Sequence, residues 1–136
     1  MALQLTVVTP EGQAFDGEVE QVVLPGSEGD FGVLEQHERF LAALRQGPVE
    51  IHSGGGKQWA AVSDGFADVS AEAVAVLVSR CDLASEIDTA AAQREIDEAE
   101  ARLRDLSGSD EDAHERSEAE RAIEAARLLL DVAGRS

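Results

Sequence analysis

The chain has no tyrosine, one cysteine, one tryptophan, three prolines, and only 11 lysines and arginines against 28 acids. Each shortage excludes something. With Cys81 as the single cysteine, no intramolecular disulfide can form, and a structural zinc site would lack its usual thiolates. That usage fits a reducing compartment, and Cys81 itself reads as a small half-buried hydrophobe. The shortage of bases leaves a formal net charge of −17. A field of that sign repels phosphate backbones and anionic lipid, so it argues against nucleic-acid or membrane-surface binding and favours a basic partner surface. No apolar run approaches the ~20 residues of a membrane-spanning helix. The opening MALQLTVVTP lacks the basic start and apolar stretch of a signal peptide. With aromatics at 4%, Val, Leu and Ala must build most of any core.

What is present divides the chain in two. Up to about residue 83 the apolar pattern has a period near two, in runs at Leu3–Val7, Val19–Leu24, Val49–His52, Trp59–Val62, Phe66–Val69 and Val74–Val78. Turn signals separate them, among them Pro25-Gly26, Gly47-Pro48, Gly54-Gly55-Gly56 and Asp64-Gly65. Short strands at this spacing, with no helical pattern between them, predict a β-sandwich or barrel and argue against a parallel βαβ sheet. Val49, Ile51, Trp59 and Phe66 suit its core. Near Ser85 the period changes. Ala92, Ile96, Ala99, Leu103 and Leu106 mark one helical stripe, and Ala119, Ile123, Ala126, Leu130 and Ala133 a second. Ser85-Glu86-Ile87-Asp88 offers a capped start, and residues 107–112 break the pattern, so two antiparallel helices are predicted. Their seam is alanine-rich, and a buried methyl contributes only roughly 0.8 kcal/mol. Such a hairpin is marginal alone; it must dock on something and could undock. Both parts are acidic: residues 1–83 carry 13 acids and 4 bases, net −9, and residues 84–136 carry 15 acids and 7 bases, net −8.

No catalytic constellation emerges. Gly54-Gly55-Gly56-Lys57 fails the phosphate-loop pattern, because Ile51 stands where its first glycine belongs and Gln58 where its Ser/Thr belongs; it reads as a turn between strands. His37, His52 and His114 lie far apart with no metal-ligand spacing, and His52 and His114 read as solvent-facing. The acids of the helices, such as Glu95, Glu98 and Glu100, read as a solvated face. No cofactor or metal is expected. The most informative run is PGSEGDFGVLEQH at 25–37, where Gly26, Gly29 and Gly32 alternate with the buried-looking Phe31 and Leu34. It describes a loop of fixed shape rather than a flexible one.

That run resembles the P-G-x-E-G-x-x-G-x-L-x-x-H signature of the epsilon subunit of F-type ATP synthases. The likeness continues in order through LQLTVVTPEGQAFDGEVEQVVLPG, Asp64-Gly65-Phe66-Ala67-Asp68-Val69 and VAVLVSRCDLASEID. The resemblance implies a ten-stranded β-sandwich over residues 1–84 and a helical hairpin over 85–136. It implies a non-catalytic rotor-stalk subunit that binds the gamma subunit and the c-ring. Its place would be peripheral, on the cytoplasmic face of an energy-coupling, bacterial inner membrane. By position, Glu28, Asp30 and His37 become c-ring contact candidates. Arg116, Arg121 and Arg127 become candidates for contact with the alpha and beta subunits of the catalytic head, through which the hairpin would inhibit ATP hydrolysis, although Glu115, Glu118, Glu120 and Glu124 surround them. The chain departs from the family at Arg39, where proline is usual. It departs also at Ala91 and Glu98, which replace both arginines of the nucleotide motif, and at Glu95, which replaces its middle alanine. Without those forked donors, weak or absent ATP binding is expected. Two other readings stand beside this one. The first is a non-catalytic acidic adaptor outside ATP synthase; the second is a small sandwich enzyme, for which no pocket is located.

Overall fold

The computed structural model describes residues 3–34, 38–106, 108 and 110–135. Ten strands come first: β1 (Leu3–Thr9), β2 (Gly12–Val19), β3 (Gln21–Leu24), β4 (Phe31–Leu34), β5 (Phe40–Leu44), β6 (Gly47–Ser53), β7 (Gly56–Val62), β8 (Gly65–Val69), β9 (Ala73–Val78) and β10 (Cys81–Leu83). Two helices follow, α1 (Thr89–Asp105) and α2 (Ala113–Ala133). The strands form two five-stranded sheets, ordered β2-β1-β9-β8-β5 and β10-β7-β6-β3-β4. All pairings are antiparallel except β1 with β9. The sandwich followed by a helical hairpin is as expected.

The inner faces follow from alternation. Leu3, Leu5 and Val7 of β1, Val49 and Ile51 of β6, and Val74, Val76 and Val78 of β9 point between the sheets, where they meet Val22, Leu24, Val33 and Val69 in one cluster. Side chains of period two on facing sheets interdigitate in this way. The β6–β7 turn is the glycine hairpin read from the sequence. Gly54 and Gly55 occupy its two loop positions with φ of 58° and 79°, the left-handed region that a tight two-residue hairpin requires.

The helices begin one step later than Ser85 indicated. Ala84–Glu86 form a short 3₁₀ turn, and Asp88 is the cap: its Oδ1 accepts the Ala91 N–H at 3.1 Å. The buried stripe of α1 is Ala92, Ile96 and Ala99. On α2 it runs Ala119, Ile123, Ala126, Leu129 and Val132. The expected Leu130 and Ala133 are only half-buried, because the last turns of α2 rotate Leu129 and Val132 onto the second sheet, where they join Ala61, Ala84 and Ala92. Trp59 borders this docking cluster rather than the sandwich core.

Candidate functional site

The glycine loop between β3 and β4 has the fixed shape that its composition predicts. A Cβ on Gly26 would lie 2.5 Å from the Gly29 carbonyl oxygen and 2.8 Å from the Phe31 ring, and Gly29 has φ of 137°. Both positions therefore demand glycine. Backbone bonds tie the loop to the strand beside it: the Ser27 N–H donates to the Ala43 carbonyl at 2.9 Å, and the Arg45 N–H to the Pro25 carbonyl at 2.9 Å. Phe31 meets Phe40 edge-to-face, with ring centroids 5.6 Å apart. Glu28 is exposed at the tip. Asp30 is ion-paired with Arg45, a partner not foreseen from the sequence. His37 lies outside the described residues. Leu34 is not buried as it looked: it is 56% exposed on β4, an edge strand.

A second feature escaped the sequence reading. Phe66, expected in the core, is 54% exposed. Its neighbours Ala67 and Val69 face inward, but strand parity turns Phe66 to the other face. There it belongs to a row across the first sheet. Val8 pairs with Leu77, Leu77 with Phe66, and Phe66 with Ala43. Leu41, 69% exposed, stands two residues along β5 on the same face, and Leu77 is 50% exposed. Thr6, Ala75, Asp68 and Leu41 form the adjacent row. Scattered exposed hydrophobes are ordinary, but a contiguous row on an open sheet face is the kind of patch that partners cover. The parity of Leu77 against Val74, Val76 and Val78 was the signal that could have found it.

The hairpin arginines do not gather. Along a helix, Arg121 sits about 140° around from Arg116, and Arg127 about 20° from it. Arg121 and Arg127 are exposed and Arg116 is half-buried. Arg127 borders a groove between the helices that it shares with Arg104 and with Glu100, Glu120 and Glu124. Ala91 and Glu98 lie on α1 where the nucleotide motif has arginines, and Glu98 is exposed.

His52 is only partly solvent-facing. Its side chain is 27% exposed, and its Nε2 lies 3.0 Å from Glu50 Oε1, which also meets Lys57 Nζ at 3.1 Å. Lys57 above all, with His52 helping, holds the Glu50 carboxyl below its ordinary value against the opposing effect of burial. His114 is exposed as expected, beside Glu118 on α2. Burial, reinforced by Asp82 and Glu86, pushes the Cys81 thiol up to about 11, so it behaves as a hydrophobe rather than a nucleophile. Among the described residues, no three His, Cys, Asp or Glu side chains converge to hold a metal ion, and no helix is long and apolar enough to cross a membrane.

Known proteins share this arrangement. The family model for the ATP synthase delta/epsilon chain β-sandwich domain matches residues 2–84. ATP synthase epsilon chain 2 of Syntrophotalea carbinolica is 36% identical over 133 residues, covering 98% of this chain and 94% of its own. The ATP synthase epsilon chain of Anaeromyxobacter sp. (strain K) is 39% identical over 135 residues, covering 99% and 100%. A chain in the Euglena gracilis mitochondrial ATP synthase structure (OSCP/F1/c-ring) superimposes with a TM-score of 0.66 at 22% identity, covering 98% of this chain and 78% of that one. A chain in the Tetrahymena thermophila mitochondrial ATP synthase central stalk/c-ring structure gives 0.57 at 12% identity, covering 98% and 97%. At those identities the two structures speak for the fold alone. The sandwich match and the full-length likeness to epsilon chains place this chain in the ATP synthase epsilon family, as a non-catalytic subunit of that complex.

Proposed function

We propose that this chain is a central-stalk rotor subunit that joins the gamma subunit to the c-ring. The observation that carries this reading is the exposed row Val8–Leu77–Phe66–Ala43 with Leu41 beside it, on the sheet face that the hairpin leaves open. An apolar, alanine-rich sheet face suits close packing with a protein partner, and the exposed Asp68 within it suits a basic residue on that partner. We assign this face to gamma. The glycine loop supplies a second contact. Being rigid, it loses little entropy on docking, so Glu28 and Asp30, with His37, would meet the c-ring. Asp30 reaches that contact already paired with Arg45, which leaves Glu28 as the stronger candidate. Relatives named as ATP synthase epsilon chains support a place in that complex, within which both contacts are assigned. In this reading the subunit sits peripherally on the cytoplasmic face of the energy-coupling membrane of a bacterium. The chain divides into a binding domain over residues 1–84 and a hairpin domain over 85–136.

Inhibition of ATP hydrolysis by the hairpin is the weaker part of the reading. Arg116, Arg121 and Arg127 would face acidic catalytic-head alpha and beta subunits, yet Arg121 lies on another side of α2 from Arg116 and Arg127, which are about three turns apart, and glutamates surround them. A single experiment separates the parts. The matching head-plus-gamma complex is assayed for ATP hydrolysis with the full chain, with Phe66→Asp, and with a chain ended at Leu83 whose sandwich is first verified by circular dichroism. Phe66→Asp is expected to abolish co-purification with gamma. If the full chain slows hydrolysis and the shortened one binds without slowing it, the hairpin inhibits. If both bind and neither slows it, the subunit only couples. If the full chain fails to bind gamma, the rotor reading falls and the acidic-adaptor reading takes its place.

A further inference from the structure

We propose that Arg135 and Trp59 form a clasp that sets how much of the time the helical hairpin lies docked on the second sheet. This concerns the isolated chain and does not depend on the rotor assignment.

The hairpin holds the sandwich through little. Its docking cluster is Ala61, Ala84, Ala92, Leu129 and Val132, bordered by Trp59, Ile87, Leu128 and Leu130. A separate cluster, Ala99, Ala119 and Ile123 with Leu103, packs one helix on the other without touching the sheets. Only Leu129 and Val132 among its fully buried members are larger than alanine, and the other large side chains at the seam are partly exposed. The two parts it joins also carry net charges of −9 and −8 and repel each other. Docking under those conditions is a balance that one added contact can move.

Trp59 is the largest side chain at this seam. It stands on β7 two residues before Ala61. Arg135, just beyond α2, places its guanidinium carbon 4.7 Å from the centroid of the Trp59 ring. Asp131, one turn back on α2, holds the same guanidinium, with Arg135 Nη2 3.0 Å from its Oδ2. The ion pair lies within the hairpin and orients the arginine; the ring contact crosses from hairpin to sandwich. A cation over an indole face is favourable, and the cation here also sits between two negatively charged bodies. At a partly exposed site such a contact shifts a two-state ratio by about two- to five-fold.

The test uses the full chain with Ala61→Cys in a Cys81→Ser background. Ala61 is 3% exposed beneath α2, and a recess of about 30 Å³ beside it leaves room for the added sulfur. Its reaction with a thiol reagent reports the lifted population. Arg135→Ala is expected to speed labelling by about two- to five-fold, the shift set by the cation–π contact. Trp59→Leu should speed it at least as much, because the indole also packs at the seam, Arg135→Lys should fall between wild type and Arg135→Ala, and Arg135→Ala added to Trp59→Leu should do nothing more. An unchanged rate on Arg135→Ala overturns the proposal. So does an equal acceleration in the Trp59→Leu background, which would mean that the arginine acts without the ring. A second probe, Ala92→Cys on α1, 1% exposed, must give the same ratios and stands alone if the first variant does not fold.

Discussion

In the sandwich, Leu3, Leu5, Val22, Leu24, Val33 and Ile51 interlock across two sheets and are essentially sealed from water. In the hairpin, the corresponding work falls to Ala92, Ala99, Ala119 and Ala126, with Ile96, Ile123, Leu129 and Val132 as the larger members. The sandwich side chains each remove several carbons from water, whereas an alanine removes one, so burial per residue differs several-fold. The sandwich is also closed by long-range strand pairing. The hairpin closes on itself through a small alanine-rich cluster and reaches the sheets through one other cluster. The difference teaches that the two halves are held by very different amounts of buried apolar surface. Under the proposed rotor reading, a firm sheet face for partners and a lightly held hairpin on the other side would divide the same way.

The largest effect should come from the sandwich. Ile51 is 1% exposed, and Ile51→Ala is expected to cost about 2–5 kcal/mol of global stability. Amide exchange should accelerate everywhere, in α2 as well as β1, because the hairpin docks on what is being loosened. Leu129→Ala removes a comparable volume from the docking cluster, yet its effect should stay local. Exchange at the α2 amides should speed up markedly, while the Leu5 and Ala67 amides of the sandwich keep their wild-type rates, since the hairpin can lift without unfolding the sheets. Equal acceleration at both sets of amides in Leu129→Ala would break the comparison and make the molecule one cooperative unit.

The same contrast explains what the sequence disclosed. The six runs legible by period two became β1, β3, β6, β7, β8 and β9, the interior strands of their sheets. The four that pattern alone did not reveal, β2, β4, β5 and β10, are the four edges. An edge strand has a neighbour on one side only, and here β10 is half-buried throughout while β2 departs from strict alternation. Their existence came from family resemblance instead. The glycine loop was legible because backbone crowding at Gly26 forces a residue type. Phe66 misled because hydrophobicity was read without parity. That Leu129 and Val132 are buried more deeply than Leu130 and Ala133 depends on where the second sheet sits, which no local pattern encodes. The same holds for Trp59 and Arg135, which meet only because α2 returns across β7.

The smallest expected effect separates the halves by pH. Lys57, with help from His52, holds the Glu50 carboxyl below its ordinary value of 4.5. A carboxyl depressed in the folded state contributes stability that is present above the unfolded value and lost as pH falls through the folded one. Urea midpoints should therefore decline below about pH 4.5 more steeply in the wild type than in Lys57→Ala, which removes the main cause, with a difference of about 1 kcal/mol or less at neutral pH for so superficial a pair. The gap between the two proteins should close as the carboxyl protonates. Hairpin docking should respond with the opposite sign. Protonating the acids of both parts relieves the repulsion between them, so labelling of a thiol at position 61, corrected for thiolate fraction with a model peptide, should slow over the same range. A parallel loss of docking and sandwich stability on acidification would show that the hairpin is held by charge rather than by its thin apolar seam.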